Sequence, residues 1–282
     1  MPPGTAAALA QALSWAYGDC GGGSAINDEL TRIRKQVYGD PRPKEYFDRF
    51  HDYARTHDPN WVYELVRLVT SLYAYTLLRA RAIAPQNVPE QGAVILAPNH
   101  FSFMDHFLLG CHLRRKVRFM GKSQLFRRPL DALFARGGVF PVRRGARDDD
   151  AFETAELILG RGGVVGMYCE GGRSRTGELA RRPKAGIGRL ALESGAPVVP
   201  VAIVGSHRIR NWKRLRFPAV SVEYGEPMTF PRELDPGRLR QQEVAETIFA
   251  AIREMHDRRK TAQRDRGSKG HGLREEPLHA DD

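Results

Sequence analysis

The 282-residue chain is poor in cysteine, and it has no long apolar run. Its three cysteines, Cys20, Cys111 and Cys169, lack framework spacing, which argues against a disulfide-stapled fold and favours a reducing compartment. No segment reaches the roughly 18 uncharged apolar residues that a membrane-spanning helix needs. Residues 1–18 lack the basic start of a signal peptide. We therefore expect a cytoplasmic protein, with attachment to a membrane surface left open.

Signatures of several functional classes are also missing. The chain has no G-x-S-x-G elbow, which disfavours a serine hydrolase built on Ser102. It has no H-E-x-x-H, and a metal site made from His100, Asp105, His106, Cys111 and His112 would have spacings that fit one helix face poorly. Zinc-finger spacing, an RNA-recognition signature and a helix-turn-helix are absent too, so a nucleic-acid-binding role finds no module.

Positive charge is abundant, and it is concentrated in the middle of the chain. There are 44 Lys and Arg against 33 Asp and Glu, a net charge of +11. Residues 101–216 hold 23 basic and 10 acidic side chains, so this block carries +13 and the remainder −2. Such a balance indicates an anionic partner: nucleic acid, an anionic membrane surface or a phosphate-bearing substrate.

The hydrophobic pattern divides the chain into three parts. Residues 1–59 form an N-terminal segment with short polar helices and a glycine-rich stretch, and residues 263–282 form a polar tail that we expect to be disordered. Within the domain at 60–262, residues 60–82 repeat apolar side chains at helical spacing. This helix either faces the core or lies in a membrane interface, with aromatic residues at one end and arginines at the other.

Short apolar runs then alternate with helical segments. The predicted strands cover 93–97, 117–120, 139–142, 164–168, 198–204 and 220–224. The segments 102–112, 123–136, 148–159 and 184–194 between them read as helices, and 238–262 as a final helix. This alternation predicts an α/β fold: a largely parallel or mixed central sheet with helices on both faces, preceded by N-terminal helices.

A polar segment follows the first predicted strand of the domain, where α/β sheets gather their sites. His100 could act as a general base, and Asp105 could fix its tautomer and stabilise the imidazolium. The alternative is that Ser102 and Asp105 form a helix capping box with His100 as a bystander.

Three further segments carry candidate residues: two follow later predicted strands, and the third, at 195–201, leads into one. Lys122, Arg143 and Arg144 lie just past the ends of predicted strands, at the same edge of the sheet as His100. Two glycines between Glu170 and Arg173 would let backbone amides approach an anion that a guanidinium also binds. Pro197 and Pro200, in the segment at 195–201, indicate an edge strand or a bulge, and we expect them to shape one wall of a cleft.

Together these segments resemble the glycerophospholipid acyltransferase family, which includes the lysophosphatidic acid acyltransferases, over about residues 60–230. The N-H-x-S-x-x-D motif is matched by Asn99, His100, Ser102 and Asp105. The second motif is matched by Lys122 and 140–143, and the third by Glu170, Gly171, Arg173 and Ser174. The fourth is matched around Pro197 and Pro200. Tyr168-Cys169 replaces the usual Phe-Pro, and Gly172 the usual Thr, which leaves the subfamily and the acceptor open.

The resemblance implies an O-acyltransferase. His100, held by Asp105, would deprotonate a lysophospholipid hydroxyl, by default that of 1-acyl-glycerol-3-phosphate, for attack on acyl-CoA or an acyl-carrier protein. A substrate phosphate would be held by Glu170, Gly171, Gly172 and Arg173, assisted by Lys122 and Arg143. Neither a metal nor an organic cofactor is implied.

The substrates that the resemblance implies also set the expected partners. A lysophospholipid lies in a bilayer, so we expect peripheral attachment to the cytoplasmic face through residues 60–82, strengthened by the central arginines. A different lysolipid or polar acceptor, or a basic nucleic-acid-binding or membrane-bound scaffold without catalysis, stays as the alternative.

Overall fold

The protein is described by a computed structural model that covers residues 40–272, apart from 144–147, 175 and 210–216. For residues 264–272 only the backbone is described. Most of the predicted N-terminal segment at 1–59, Arg144 and the last part of the predicted tail lie outside the described residues.

Helices and strands alternate through this part of the chain. The helices are α1 (Glu45–Thr56), α2 (Trp61–Thr76), α3 (Asp105–Cys111), α4 (Asp131–Arg136), α5 (Asp149–Gly160), α6 (Gly186–Ser194) and α7 (Arg238–Gly272). The strands are β1 (Arg81–Ile83), β2 (Val94–Pro98), β3 (Val117–Lys122), β4 (Val139–Val142), β5 (Val164–Gly166), β6 (Val198–Val204) and β7 (Ser221–Tyr224). Helix α7 continues past the predicted end at residue 262.

The seven strands form one mixed sheet in the order β1-β7-β6-β2-β5-β3-β4. Strands β6, β2, β5, β3 and β4 are parallel, whereas β7 pairs antiparallel with β6, and β1 pairs parallel with β7. The mostly parallel α/β prediction is therefore confirmed. The carboxyl ends of β2, β5 and β3 are neighbours at one edge of the sheet, and the loops that leave these strands must meet there.

Side chains alternate between the two faces of the sheet and bury a core on each. Ile95 and Ala97 of β2 pack with α5, α6 and α7, while Val94 and Leu96 pack with α2 and α3. All five residues of β2 are buried, as expected for a parallel strand covered on both faces. The sheet is thus a rigid support for the loops at its edge.

The helix predicted at 60–82 is shorter than expected. Asn60 caps it by accepting the Val62 amide at 3.0 Å, but the helix ends at Thr76. Arg79 then adopts a left-handed backbone (φ 44°), and Leu78 and Arg81 hydrogen-bond to Val220 beside β7. This pairing joins segments about 140 residues apart, so local periodicity could not predict it. None of the helices described within 40–272 has the length and apolarity needed to cross a bilayer.

Two further predictions about local structure are wrong. The helix predicted at 123–136 is a 3₁₀ turn at Ser123–Leu125 and the short helix α4, because Pro129 interrupts it. Pro200 lies inside the sheet, on β6 between β2 and β7, and marks neither an edge nor a bulge. It is tolerated because the antiparallel register with β7 begins only at Val201, while the Pro200 carbonyl still accepts the Gly225 amide at 2.8 Å.

Candidate active site

Two loops meet at the carboxyl edge of the sheet because their strands are paired. The loop after β2 carries His100, the loop after β5 carries Glu170, and β2 and β5 are neighbours. The backbone bonds the loops directly: the Ser174 amide donates to the His100 carbonyl at 2.9 Å. Residues 70 positions apart in sequence are thereby held in one site.

His100 and Asp105 form a buried hydrogen-bonded pair. The His100 Nδ1 lies 3.0 Å from Asp105 Oδ2, and neither residue is exposed by more than 5%. The same carboxylate oxygen accepts the backbone amides of Phe101 and Ser102, each at 2.7 Å. Asp105 therefore fixes both the imidazole and the loop that carries it, and with Nδ1 as the donor, Nε2 carries the ring's lone pair.

Ser102 takes the capping role that the sequence left open beside the dyad. Its hydroxyl accepts the Met104 amide at 3.2 Å and its carbonyl accepts the Asp105 amide at 3.3 Å, which starts α3. Capping and the His100–Asp105 pair therefore coexist, since Asp105 serves both.

Asn99 fixes the loop to the sheet on its other side. Its amide accepts from the Ile203 N–H at 2.7 Å and donates to the Ile203 carbonyl at 3.0 Å, so one side chain imitates a strand residue paired to β6. The next residue, His100, is then held at a fixed position immediately beyond the end of β2.

Glu170 supports the site through backbone amides. One carboxylate oxygen accepts the His100 amide and the other the Ala180 amide, both at 2.9 Å. Burial raises the pKa of the Glu170 carboxyl, and these two hydrogen bonds oppose the increase. Glu170 therefore positions His100, whereas the sequence placed it among phosphate-binding residues.

The turn after Glu170 depends on glycine. Gly171 has a left-handed backbone (φ 65°), and a Cβ there would lie 2.9 Å from the Lys184 side chain. Gly172 faces open space, where an anion could approach its backbone. Ser174 contributes its amide to the loop contact already described, and its hydroxyl lies 3.1 Å from that of Thr176.

Two aromatic side chains that sequence reasoning did not assign to the site surround His100. The Tyr168 ring stacks on the imidazole with centroids 3.8 Å apart, and His106 meets it edge-on at 5.2 Å. Among the described residues, the buried Tyr168 hydroxyl has no hydrogen-bond partner. Burial, together with nearby His100, lowers the pKa of His106 to about 4, so His106 is neutral at pH 7. The available signal was Tyr168 itself, where the resembled family has Phe.

An apolar cavity of about 220 Å³ opens beside His100. Its walls come from α2, α3, β3, α4, β4 and the loops after β3 and β5, and most of the side chains are aliphatic or aromatic. The apolar lining includes Val66, Phe103, Phe107, Phe119, Leu125, Leu133, Phe134 and Val139. A cavity of this kind suits a hydrocarbon chain whose reactive end lies at the imidazole.

The predicted cationic residues divide between this cavity and other places. Lys122, at the end of β3, and Arg173 both line the cavity together with His100. Arg143 is not among its lining residues; its guanidinium lies 3.9 Å from the Asp148 carboxylate, and its amide also donates to Asp148. Of the predicted cations, Lys122 and Arg173 thus line the cavity with the imidazole, and Arg67 of α2, which is paired with Glu64, lines it too.

Pro197 and Pro200 are not among the residues that line this cavity, so the expected role in a cleft wall is not seen. Across the described ranges of the chain, no three His, Cys, Asp or Glu side chains cluster closely enough to hold a metal ion. His106 uses its Nδ1 to contact the Phe103 carbonyl at 3.1 Å, which is a local role.

Comparison with known proteins shows similarity to acyltransferases over part of the chain. Residues 79–204 match the family model described as Acyltransferase. A glycerol-3-phosphate acyltransferase from Shewanella loihica is 30% identical over 173 residues, which are 57% of this chain and 20% of that protein. A 1-acyl-sn-glycerol-3-phosphate acyltransferase from Borreliella burgdorferi is 28% identical over 125 residues, 43% of this chain and 50% of that protein. The chain spans half or less of the length of these curated relatives.

The fold is also similar to a solved structure. The crystal structure of the 1-acyl-sn-glycerophosphate (LPA) acyltransferase PlsC from Thermotoga maritima superposes with a TM-score of 0.52 at 22% identity. The match covers 82% of this chain and 88% of that one. At this identity the match shows a similar fold.

Proposed function

Because residues 79–204 match the family model described as Acyltransferase, we propose that this protein transfers a fatty acyl group from an acyl thioester to the hydroxyl of a lysophospholipid, 1-acyl-glycerol-3-phosphate in the first instance. The observation that carries the proposal is the buried His100–Asp105 pair at the wall of an apolar cavity that Lys122 and Arg173 also line. The acyl chain would occupy the cavity, and the two cations would hold a phosphate.

The proposed reaction is direct transfer. His100 Nε2 takes the proton of the acceptor hydroxyl, and the oxygen attacks the thioester carbonyl carbon. The tetrahedral intermediate collapses, the C–S bond breaks, and the imidazolium returns the proton to the leaving thiolate. Asp105 Oδ2, 3.0 Å from Nδ1, stabilises the imidazolium between these two steps.

The donor is an activated thioester carried by CoA or by an acyl-carrier protein. This mechanism assigns no step to a metal or an organic cofactor. It requires only that both substrates reach His100 together, one through the apolar cavity and the other beside Lys122 and Arg173. Proximity and one positioned base are sufficient because the thioester is already activated.

We also propose that the protein docks on the cytoplasmic face of a membrane through helix α2. One face of α2 lines the cavity with Tyr63, Val66 and Thr70, whereas the opposite face is exposed. Leu68 and Leu72 on that face are 68% and 65% exposed, which is unusual for leucines so close together. A bilayer would cover them and place its lipids beside the cavity wall.

The activity is tested by radiolabelled acyl transfer with the purified full-length protein. Palmitoyl-CoA and palmitoyl-carrier protein are compared as donors, and 1-acyl-glycerol-3-phosphate, glycerol-3-phosphate and lysophosphatidylcholine as acceptors. His100→Gln and Asp105→Asn should lower kcat by about 10³-fold or more, since a misplaced or absent base removes the proton-transfer step. His112→Gln is the matched control, because His112 bonds Tyr75 outside the cavity lining.

Near-normal transfer by His100→Gln would overturn the mechanism. Transfer to none of the three acceptors by the wild-type protein, with folding verified by circular dichroism, would overturn the proposed substrate class. Transfer to glycerol-3-phosphate alone would keep the chemistry and change the acceptor.

A further inference from the structure

An arginine-lined cleft of about 480 Å³ lies next to the 3₁₀ turn that follows β3. Two separate stretches of chain form it: residues 41–49, which precede the family match at 79–204, and residues 127–128, which lie inside it. The lining residues are Pro41, Arg42, Tyr46, Arg49, Arg127 and Arg128. Four arginines line this shallow hollow, and the exposed Arg127 and Arg128 give it a positive charge that the proposed chemistry has not used.

Two of the four arginines hold the cleft together. The Arg42 guanidinium pairs with Asp40 at 2.7 Å and donates to the carbonyls of Ser123 and Phe126, so it clamps the turn. The pKa of the Asp40 carboxyl falls to about 2 beside it. Arg49 pairs with Asp131 at 3.2 Å. These carboxylates offset two of the four charges.

The aromatic ring of Tyr46 fixes the geometry of the same pair. It lies between the guanidiniums of Arg42 and Arg49, 4.7 and 4.8 Å from its centroid. Its hydroxyl donates to the Phe126 carbonyl at 3.2 Å. The cleft is therefore preformed on this side and does not need a ligand to assemble it.

Arg127 and Arg128 supply the uncompensated charge. Both are exposed, and in the described part of the chain neither has a carboxylate within ion-pair distance. Arg127 and Arg128 suit a ligand with more than one phosphate group, because each guanidinium can bind a phosphate through two N–H donors at once.

A short segment of chain, residues 122–128, connects the cleft to the candidate active site. Leu125, two residues before Arg127, lines the apolar cavity, and Lys122 at the start of the same turn lines it together with His100. A ligand that spans both places must have phosphates at one end, a narrow uncharged arm, and a reactive acyl group at the other. Coenzyme A has this construction: its phosphates are joined to the thioester by the pantetheine arm.

We propose that this cleft binds the phosphate groups of CoA in the acyl-CoA donor. The proposal rests on the acyl-transfer function above, and it favours CoA over a carrier protein. Arg127 and Arg128 would contact the phosphates, while Arg42 and Arg49, held by Asp40 and Asp131, keep the adjoining turn in place.

The test is equilibrium binding by calorimetry, which requires no turnover. The full-length protein is titrated with CoA and with 3′-dephospho-CoA at low salt. Arg127→Ser with Arg128→Ser should weaken CoA binding about tenfold or more, and dephospho-CoA should bind the wild-type protein more weakly than CoA does. Arg127→Lys with Arg128→Lys should restore part of the affinity, because the charge returns without the bidentate geometry.

A matched control removes the same charge elsewhere. Arg232→Ser with Arg238→Ser changes two exposed arginines near α6 and α7, and should leave CoA affinity unchanged. Thermal unfolding of each variant verifies that the fold is retained.

Three results would overturn the proposal. They are equal CoA affinity in the wild-type and Arg127/Arg128 double variants, equal loss in the control variant, and loss of binding to anionic vesicles with CoA affinity retained. The last would assign the arginines to lipid headgroups. If CoA binding depends on Arg127 and Arg128 but no acyl transfer is detected, the failure belongs to the proposed function and not to the cleft.

Discussion

The carboxylate of Glu170 accepts the backbone amide of His100 at 2.9 Å, across a sequence separation of 70 residues. Its second oxygen accepts the Ala180 amide at the same distance. A single buried side chain therefore joins the loops after β2 and β5 and sets the height of the imidazole above the sheet. Four experiments follow from this and other contacts.

Glu170→Gln should separate a positioning role from substrate binding. A glutamine offers one acceptor and one donor to two amide donors, so one amide loses its partner. We expect the free energy of unfolding to fall by about 1–3 kcal/mol. We also expect kcat to fall about tenfold with little change in acceptor KM, because no carboxylate oxygen is left over for substrate.

Glu178→Gln is the control for this experiment, since Glu178 is exposed and pairs with Lys260. Urea unfolding and steady-state kinetics provide the two measurements. An increase confined to acceptor KM, with stability unchanged, would return Glu170 to the phosphate site.

Tyr168→Phe should raise stability and lower activity. The tyrosine hydroxyl is buried beside His100 and has no partner among the described residues, which costs folding free energy. We expect the melting temperature to rise slightly and kcat/KM to fall about tenfold, because Tyr168 lines the cavity where the thioester would bind. Unchanged activity in the more stable variant would exclude a role in the reaction.

Tyr224→Phe is the comparison variant for stability, and it should change stability in the opposite direction. Its hydroxyl is also buried but donates to the Leu109 carbonyl at 3.0 Å. Removing it should destabilise the protein by about 1 kcal/mol, since the carbonyl loses its partner.

Leu68→Glu with Leu72→Glu should abolish membrane docking. Carboxylates on the exposed face of α2 cannot enter the apolar part of a bilayer, so we expect flotation with anionic vesicles to fall at least about tenfold. Transfer to a short-chain acceptor dispersed in water should persist, because neither leucine lines the cavity.

Leu157→Glu is the matched control for this surface, because Leu157 is 46% exposed on α5. It should not alter flotation. Unchanged flotation of the double variant would show that the membrane is contacted elsewhere, and that another surface covers this face of α2.

The pH dependence of stability should report the buried His51. Its ring lies 2.9 Å from the Thr154 hydroxyl, and burial, with a smaller contribution from Arg55, lowers its pKa from 6.5 to about 4. Between pH 6.5 and about 4, His51 binds a proton in the unfolded chain but not in the folded protein. The free energy of unfolding should therefore fall as pH drops from 6.5 towards 4, by at most about 1.4 kcal/mol per unit for this group.

His51→Gln should reduce this dependence by the contribution of His51, since glutamine can still bond Thr154 but does not titrate. Burial also lowers the pKa values of His106 and His112 to about 4, so these residues keep part of the dependence. Urea denaturation at pH 5, 6, 7 and 8 measures both proteins. If the free energy of unfolding changes with pH equally in the wild-type protein and the variant, His51 has the same pKa in the folded and unfolded states, and the expectation is wrong.

Much of this site follows from local sequence pattern. Strand β4 begins and ends at the predicted residues, and the strands that precede His100 and Glu170 were placed within a few residues. Apolar runs and the polar segments that follow them are local properties, and parallel pairing brings the ends of such strands together. His100, Asp105, Lys122 and Arg173 could be named for that reason.

The rest depended on contacts between distant segments. Strand β1 and the end of α2 are set by pairing with Val220 and β7, which no local pattern specifies. The role of Glu170 changed because its oxygens meet two backbone amides, and the arginine cleft arose because residues 41–49 fold against the turn after β3. Charge composition indicated an anionic partner, but only the tertiary fold placed four arginines in one concavity.

Adjacent residues of helix α2 have different surroundings: one is exposed and the next lines the cavity. Leu65 is exposed while Val66 lines the cavity, and the same division recurs at Val69 and Thr70. If the proposed function holds, the exposed residue of each pair would affect how the enzyme attaches to the membrane. The residue that lines the cavity would affect which length of acyl chain the enzyme accepts. Descendants of this protein could then change their preferred fatty acid by point substitution without leaving the surface where that fatty acid is found.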